Sequence, residues 1–196
     1  GVMSEEDAFD IVRKRGIYMQ EAVPEGGAMA AVLGLDNETI RTVCEETEGI
    51  VSVANYNCPG QTVITGEAKS VAEAGEALKA KGARRVLPLK VSGPFHSKML
   101  TGAGEKLGLA LEKVTLSDPE TPYITNVTAE YVTSKEQVKE LLTAQVSSSV
   151  LWQQSVERMI ADGVDTFVEI GPGKTLCGFL RKIDRNVKGV GIEKIE

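Results

Sequence analysis

One histidine, His96, stands in 196 residues, and it lies in the loop Gly93-Pro94-Phe95-His96-Ser97. Imidazole is the side chain whose ordinary pKa, about 6.5, lets it both take and give a proton near neutrality. The other residues whose types fit a polar site are Arg15, Asn57, Asn126 and Gln145. Arg15 falls on one helical face with Ala8, Val12 and Met19, at successive spacings of four, three and four. A guanidinium on an apolar face snorkels to solvent, pairs with a structural carboxylate, or meets an anionic ligand in a water-filled cleft. Asn57 precedes Cys58-Pro59-Gly60, where an Asx turn competes with a ligand role. Gln145 precedes Ser147-Ser148-Ser149 and offers a side-chain amide, a backbone carbonyl, or simply a helix end. No serine or cysteine lies in G-x-S-x-G, so a histidine base finds no nucleophile elbow in these residues. Gly171-Pro172-Gly173-Lys174 lacks the G-x-x-x-x-G-K-[ST] pattern of a phosphate loop and reads as a tight turn between strand and helix.

The elements that must position these groups follow from hydrophobic periodicity. Ser4 has the place of an N-cap, with Glu5, Glu6 and Asp7 in the first turn of the helix that carries Arg15. Gly16 beside it caps that helix or lets another group approach closely. Strands are expected over Ala28–Leu35, Ile50–Tyr56, Thr62–Thr65 and Arg84–Val91, with the middle two joined by the turn Asn57-Cys58-Pro59-Gly60. Helices are expected over Asp36–Glu48 and Ser70–Lys81, the latter ended by Gly82. That order is βαββαβ, the ferredoxin-like split unit. The apolar run through residues 86–92 leads as a buried strand into the His96 loop. A helix over Lys98–Val114 leads away, so the histidine sits between strand and helix, where α/β folds often keep their chemistry.

Beyond it the pattern predicts a buried strand at Tyr123–Val127 and helices at Lys135–Gln145 and Val150–Ala161. The second of these helices brings Trp152, Val156 and Ile160 to one side. A strand at Asp165–Ile170 and a final helix at Thr175–Ile183 complete the chain. The βαββαβ unit is thus nested between one helix and the rest of a larger α/β domain whose sheet has few strands.

Composition bounds the function classes. Hydrophobic residues make up 42% and charged residues 26%, the values of a globular chain with a real core. A net charge of −6 argues against nucleic acid as the main partner, because phosphate neutralisation needs a dominant basic surface. No apolar run approaches the ~20 residues of a membrane span. Cys44, Cys58 and Cys177 are odd in number and have no metal-like spacing, which fits a reduced, cytoplasmic setting without a metal. Cys44 shares the apolar side of its helix with Ile40 and Val43 and is assigned to the core.

Five stretches carry a resemblance. Arg15-Gly-Ile-Tyr-Met-Gln-Glu-Ala-Val-Pro24, Gly27-Ala-Met-Ala-Ala-Val-Leu-Gly34, Asn55-Tyr-Asn-Cys-Pro-Gly-Gln61, Gly93-Pro-Phe-His-Ser97 and Glu169-Ile-Gly-Pro-Gly-Lys174 resemble the malonyl-CoA:acyl carrier protein transacylases, in order and with matching gaps. These are acyltransferases of fatty-acid synthesis, related to those of polyketide synthases. The resemblance implies an α/β-hydrolase-like domain, here with an incomplete sheet, over residues 1–25 and 93–196. It also implies an inserted ferredoxin-like subdomain over residues 26–92.

The same resemblance implies a ping-pong reaction. A serine takes malonyl from malonyl-CoA, and the phosphopantetheine thiol of acyl carrier protein then takes it from the serine. No cofactor, nucleic acid or membrane is implied. His96 takes the place of the catalytic base and Arg15 that of the residue binding the malonyl carboxylate. Gln145 takes the place of the residue whose backbone carbonyl orients the histidine, and Asn57 that of a cleft-facing asparagine. Phe95, next to the base, is expected to bound the space around the malonyl Cα.

The family's P-G-Q-G segment and G-H-S-x-G elbow are not among these residues. The resemblance therefore assigns the chain to the C-terminal two-thirds, with the N-terminal third as a possible separate piece, and predicts no turnover by the chain alone. Two alternatives stand beside it: an inactive fragment that only binds carrier protein or coenzyme A, and an acyltransferase domain of a polyketide synthase.

Overall fold

The computed structural model describes residues 1–91 and 93–194; Ser92, at the end of the strand expected over 86–92, and residues 195–196 lie outside the described residues. The first helix, α1 (Glu5–Ala22), begins as its sequence dictates. The Ser4 hydroxyl accepts the Asp7 amide at 3.0 Å, and three acidic residues face the positive end of the helix dipole. Gly16 lies inside α1 and does not cap it. The buried side of α1 is also rotated from the expected one. Ile11 and Met19 are buried while Val12 is 69% exposed, because α4 meets the helix along the Ile11 side.

The next six elements are β1 (Gly27–Leu33), α2 (Asn37–Glu46), β2 (Val51–Cys58), β3 (Gln61–Glu67), α3 (Ala68–Ala80) and β4 (Arg85–Pro88). They form a four-stranded antiparallel sheet in the order β2-β3-β1-β4. Alternation along β1 sends Ala30 and Val32 to one face, where Ile40, Val43 and Cys44 of α2 and Val71, Ala74 and Leu78 of α3 complete a core. Burial there pushes the Cys44 thiol pKa up to about 12, which marks it as a packing residue. Met29 and Ala31 point to the opposite face, towards Ala54, Val63 and the ring of Phe95.

Two expectations change in this unit. Asn57 and Cys58 continue β2, which shortens the turn to Pro59-Gly60. The strand before His96 is not buried: β4 has four residues at the sheet edge, and Leu87 and Val91 are 44% and 43% exposed. Pro88 has no amide to extend the ladder, and an edge strand has a partner on one side only.

After a single 3-10 turn at Lys98–Leu100, α4 (Thr101–Leu111) packs through Ala103, Leu107 and Leu111 into a second core with Ile11, Met19 and Val146. The strand expected at Tyr123–Val127 is reduced to β5 (Tyr123–Ile124), half-buried and paired with β6 (Tyr131–Val132). Thr125 turns the chain instead, accepting the Ala129 amide. Helix α5 (Lys135–Gln145) has the expected limits, whereas α6 (Trp152–Ala161) starts two residues late because Val150 bridges to Asn55. Strand β7 (Thr166–Ile170), helix α7 (Thr175–Ile183) and strand β8 (Lys188–Ile192) close the chain, with β8 parallel to β7. Gly189 and Gly191 interrupt the apolar pattern of β8, which is why the sequence does not announce it.

Candidate active site

The His96 loop is held on three sides. Pro94 lies over the start of β1, where a Cβ on Gly27 would fall 2.3 Å from the proline Cδ, so glycine is what admits the ring. Phe95 packs against both the sheet cluster and the helical one. The Ser97 side chain is wholly buried, and its hydroxyl accepts the Met99 amide at 3.2 Å to start the 3-10 turn. That hydroxyl thus has a structural role in the turn. His96 itself sits at φ 59°, a left-handed conformation costing a non-glycine residue roughly 1–2 kcal/mol.

The compensation is visible at the ring. His96 Nδ1 lies 3.0 Å from the backbone carbonyl oxygen of Gln145, at the last residue of α5. A carbonyl only accepts, so neutral His96 carries its proton on Nδ1 and keeps an Nε2 lone pair. Helix carbonyls at a C-terminus lack intrahelical partners, and here one of them orients the imidazole. Burial holds the His96 pKa below its ordinary value; the Gln145 and Ser148 carbonyls oppose that shift and the charge of Arg15 adds to it. The shift favours the neutral form of the His96 imidazole.

Arg15 faces the same cleft. The other two basic residues of this helix segment, Arg13 and Lys14, pair with Asp10 at the surface. Among the described residues no carboxylate pairs with Arg15, and its Nε is buried without a hydrogen-bond partner. Desolvation lowers its pKa, the sign of a cation held away from water. Among the described residues Arg15 thus has no structural carboxylate. A guanidinium with a free donor in a cleft presents a fork suited to a carboxylate.

The cleft encloses about 520 Å³. Helix α1 contributes Arg15, Gly16, Met19 and Gln20, while Met29, Leu89, Val91 and Phe95 form apolar walls around His96. A Cβ on Gly16 would meet nothing within 4 Å, so the helix surface beside Arg15 is open to the cleft. From β2 the lining residue is Asn55, and Asn57 is not among the cleft residues. The ladder with β3 shifts register between Val53 and Asn55 and again between Tyr56 and Cys58, which leaves Asn57 at an irregular position beside the turn. Those shifts have no sequence signal. Asn126 also lies outside the cleft and uses its backbone carbonyl to accept the Leu151 amide.

The family described as acyl transferase domain matches residues 1–192. The chain belongs to that family. Among its relatives, the malonyl CoA-acyl carrier protein transacylase of Bacillus subtilis is 46% identical over 200 residues, covering 100% of this chain and 63% of that protein. The protein of the same name from Escherichia coli K12 is 46% identical over 186 residues, covering 93% of this chain and 60% of its own length. Among solved structures, a malonyl-transacylase in complex with its type II PKS acyl-carrier protein superposes with a TM-score of 0.96 at 40% identity, covering 100% of this chain and 64% of that one. The chain thus spans less than two-thirds of the length of these acyl transferases.

The helix amides that follow the Gly171–Lys174 turn are taken by an anion of the chain itself. The Glu169 carboxylate accepts the Leu176 and Cys177 amides at 3.0 and 2.8 Å, at the start of α7, and these bonds lower its pKa. Among the described residues no group of three or more His, Cys, Asp and Glu side chains is placed to hold a metal ion. No helix among them is long and apolar enough to cross a membrane.

Proposed function

We propose that this chain carries the histidine and arginine of a malonyl-CoA:acyl carrier protein transacylase site. The observation that carries the reading is the shared cleft in which a neutral, carbonyl-oriented His96 faces an unpartnered Arg15. A base beside a lone carboxylate receptor with apolar walls suits an acyl group that ends in a carboxylate. Relatives at 46% identity named malonyl CoA-acyl carrier protein transacylase support malonyl as that group. A neighbour in complex with an acyl-carrier protein supports the acceptor.

In this reading Arg15 binds the malonyl carboxylate and Phe95 bounds the Cα. A serine outside these residues loses its proton to His96 Nε2 as its oxygen attacks the thioester carbonyl. The tetrahedral adduct then collapses, the C–S bond breaks, and the imidazolium returns the proton to coenzyme A sulfur. The pantetheine thiol of acyl carrier protein repeats the sequence in reverse on the serine ester. The Gln145 carbonyl stabilises the transient imidazolium and fixes its orientation. Asn55 takes the cleft-facing position, and Asn57 acts on the ligand only through a change of the β2 bulge. The chemistry calls on no cofactor beyond the two thiols, and the proposed setting is the cytoplasm.

The βαββαβ unit over 26–92 is, in the same proposal, a ferredoxin-like subdomain inserted into an α/β-hydrolase-like domain made of residues 1–25 and 93–196. The exposed apolar side chains of β7, Val168 at 51% and Ile170 at 80%, and of α1, Phe9 at 75%, support a larger sheet completed by further strands. The test is incubation of the 196-residue chain with radiolabelled malonyl-CoA, alone and beside the full-length protein. Covalent label on the full-length protein alone is expected. A malonyl adduct on the short chain would overturn the assignment of the nucleophile.

A further inference from the structure

Gln145 ends a helix, and helix ends fray unless something beyond them is fixed. The five residues that follow form a strap between the two packed bodies of the molecule. Val146 is wholly buried in the helical core. Three residues on, the Ser149 hydroxyl, partly buried, donates to the Val53 carbonyl at 2.6 Å. The Val150 amide donates to the Ala54 carbonyl at 2.7 Å, and the Val150 carbonyl accepts the Tyr56 amide at 2.9 Å. The strap therefore meets the free edge of β2 in a single parallel bridge, Val150 to Asn55, beside a register shift in the ladder with β3. At its other end the strap joins Gln145, whose backbone carbonyl meets His96, and Arg15 of α1 lines the same cleft.

We infer that Ser149 is a positioning residue for His96. Its hydroxyl pins the strap to β2, and the pinned strap holds the Gln145 carbonyl under Nδ1, so that one tautomer and one ring orientation are kept. The same bond sets the distance between the base and the cleft wall formed by Asn55. Backbone bonds at Val150 alone would tie the strap to β2 through one residue; the side-chain bond at Ser149 adds a second, neighbouring anchor that resists twisting. The inference rests on the acyl-transfer reading for its kinetic consequence and on the geometry alone for its spectroscopic one.

The test compares Ser149→Ala and Ser149→Thr in the full-length protein. Imidazole 15N shifts, with His96 assigned as the signal lost in His96→Gln, report the tautomer without any substrate. Wild type and Ser149→Thr are expected to hold the Nδ1–H tautomer, while Ser149→Ala shows a mixture and faster exchange of that proton. In malonyl transfer, Ser149→Ala is expected to lower kcat roughly tenfold with KM nearly unchanged, and Ser149→Thr to restore it, since small misplacements of a catalytic group are amplified in rate. If Ser149→Ala does not fold, Ser149→Cys, close in shape and a weak donor, takes its place with the same expected changes. An unaltered tautomer spectrum in a folded Ala or Cys variant overturns the inference, as does a loss of thermal stability with kcat intact. If the wild-type protein transfers no malonyl, the functional reading fails and the 15N comparison still decides the role of Ser149.

Discussion

His96 and Gln145 meet through a ring nitrogen and a main-chain oxygen 3.0 Å apart, across 49 residues of sequence. The contact uses no feature of the glutamine side chain. Gln145→Ala is therefore expected to keep most of the activity, with kcat within about threefold of wild type. Replacement by proline, which disrupts the last turn of α5 by roughly 3 kcal/mol, should abolish activity. Steady-state kinetics on the two variants checks this, and a large loss in the alanine variant would transfer the role to the amide.

Burial lowers the His96 pKa, and the sign of its linkage to stability follows. Between the folded pKa and the unfolded value near 6.5, the unfolded chain binds more protons than the native one, so stability falls as pH drops through that window. Above it the contribution is complete. Urea unfolding at pH 7.5 and 5.5 should show a loss at the lower pH that His96→Gln diminishes. The acidic limb of kcat/KM should lie below 6.5 for the same reason.

Gly27 and Gly104 are tested by one added methyl group each. At Gly27 the Cβ would meet Pro94 Cδ at 2.3 Å, and Gly27→Ala is expected to cost about 1–3 kcal/mol by overpacking. At Gly104 it would meet the Thr143 carbonyl oxygen at 2.9 Å, two residues before Gln145. Alanine gains about 1 kcal/mol of helix propensity there, which offsets a similar clash. Gly104→Ala should thus leave the denaturation midpoint nearly unchanged yet lower kcat, because α5 and its terminal carbonyl are displaced. Unchanged kcat would show that the helix end tolerates the shift.

Phe95 lines the cleft and also joins two cores. Phe95→Ser should relax a preference for malonyl over methylmalonyl, because an α-methyl group would otherwise be overpacked. It should also destabilise the fold by about 2–4 kcal/mol. Competition between the two thioesters, measured below the melting transition, separates the effects. An unchanged ratio would leave Phe95 a packing residue only.

Much of this was legible in the residues. Ser4 caps its helix as its position implies, the βαββαβ order is present, and His96 lies between strand and helix. What was not legible depends on neighbours distant in sequence. Val12 and Ile11 fit an apolar stripe equally well until α4 chooses between them. Asn55 and Asn57 share a strand and an alternation, and only the register shifts with β3 decide which one reaches the cleft. The β4 segment reads as buried because Leu87, Leu89 and Val91 are apolar, yet it is an edge. The roles given to Arg15 and Gln145 came from family resemblance. The structure adds that no carboxylate among the described residues pairs with the first, and it adds the ring contact of the second.

The central claim is that Arg15 reads the free carboxylate of the acyl group, and the most direct measurement is the transfer of malonyl and acetyl groups by full-length protein carrying Arg15→Ala. Removing one member of a buried charge pair costs about 2–5 kcal/mol, so malonyl transfer should fall by about thirtyfold or more. Acetyl transfer, which has no carboxylate to lose, should persist or rise. Equal loss of both transfers, or retention of both, would contradict the account.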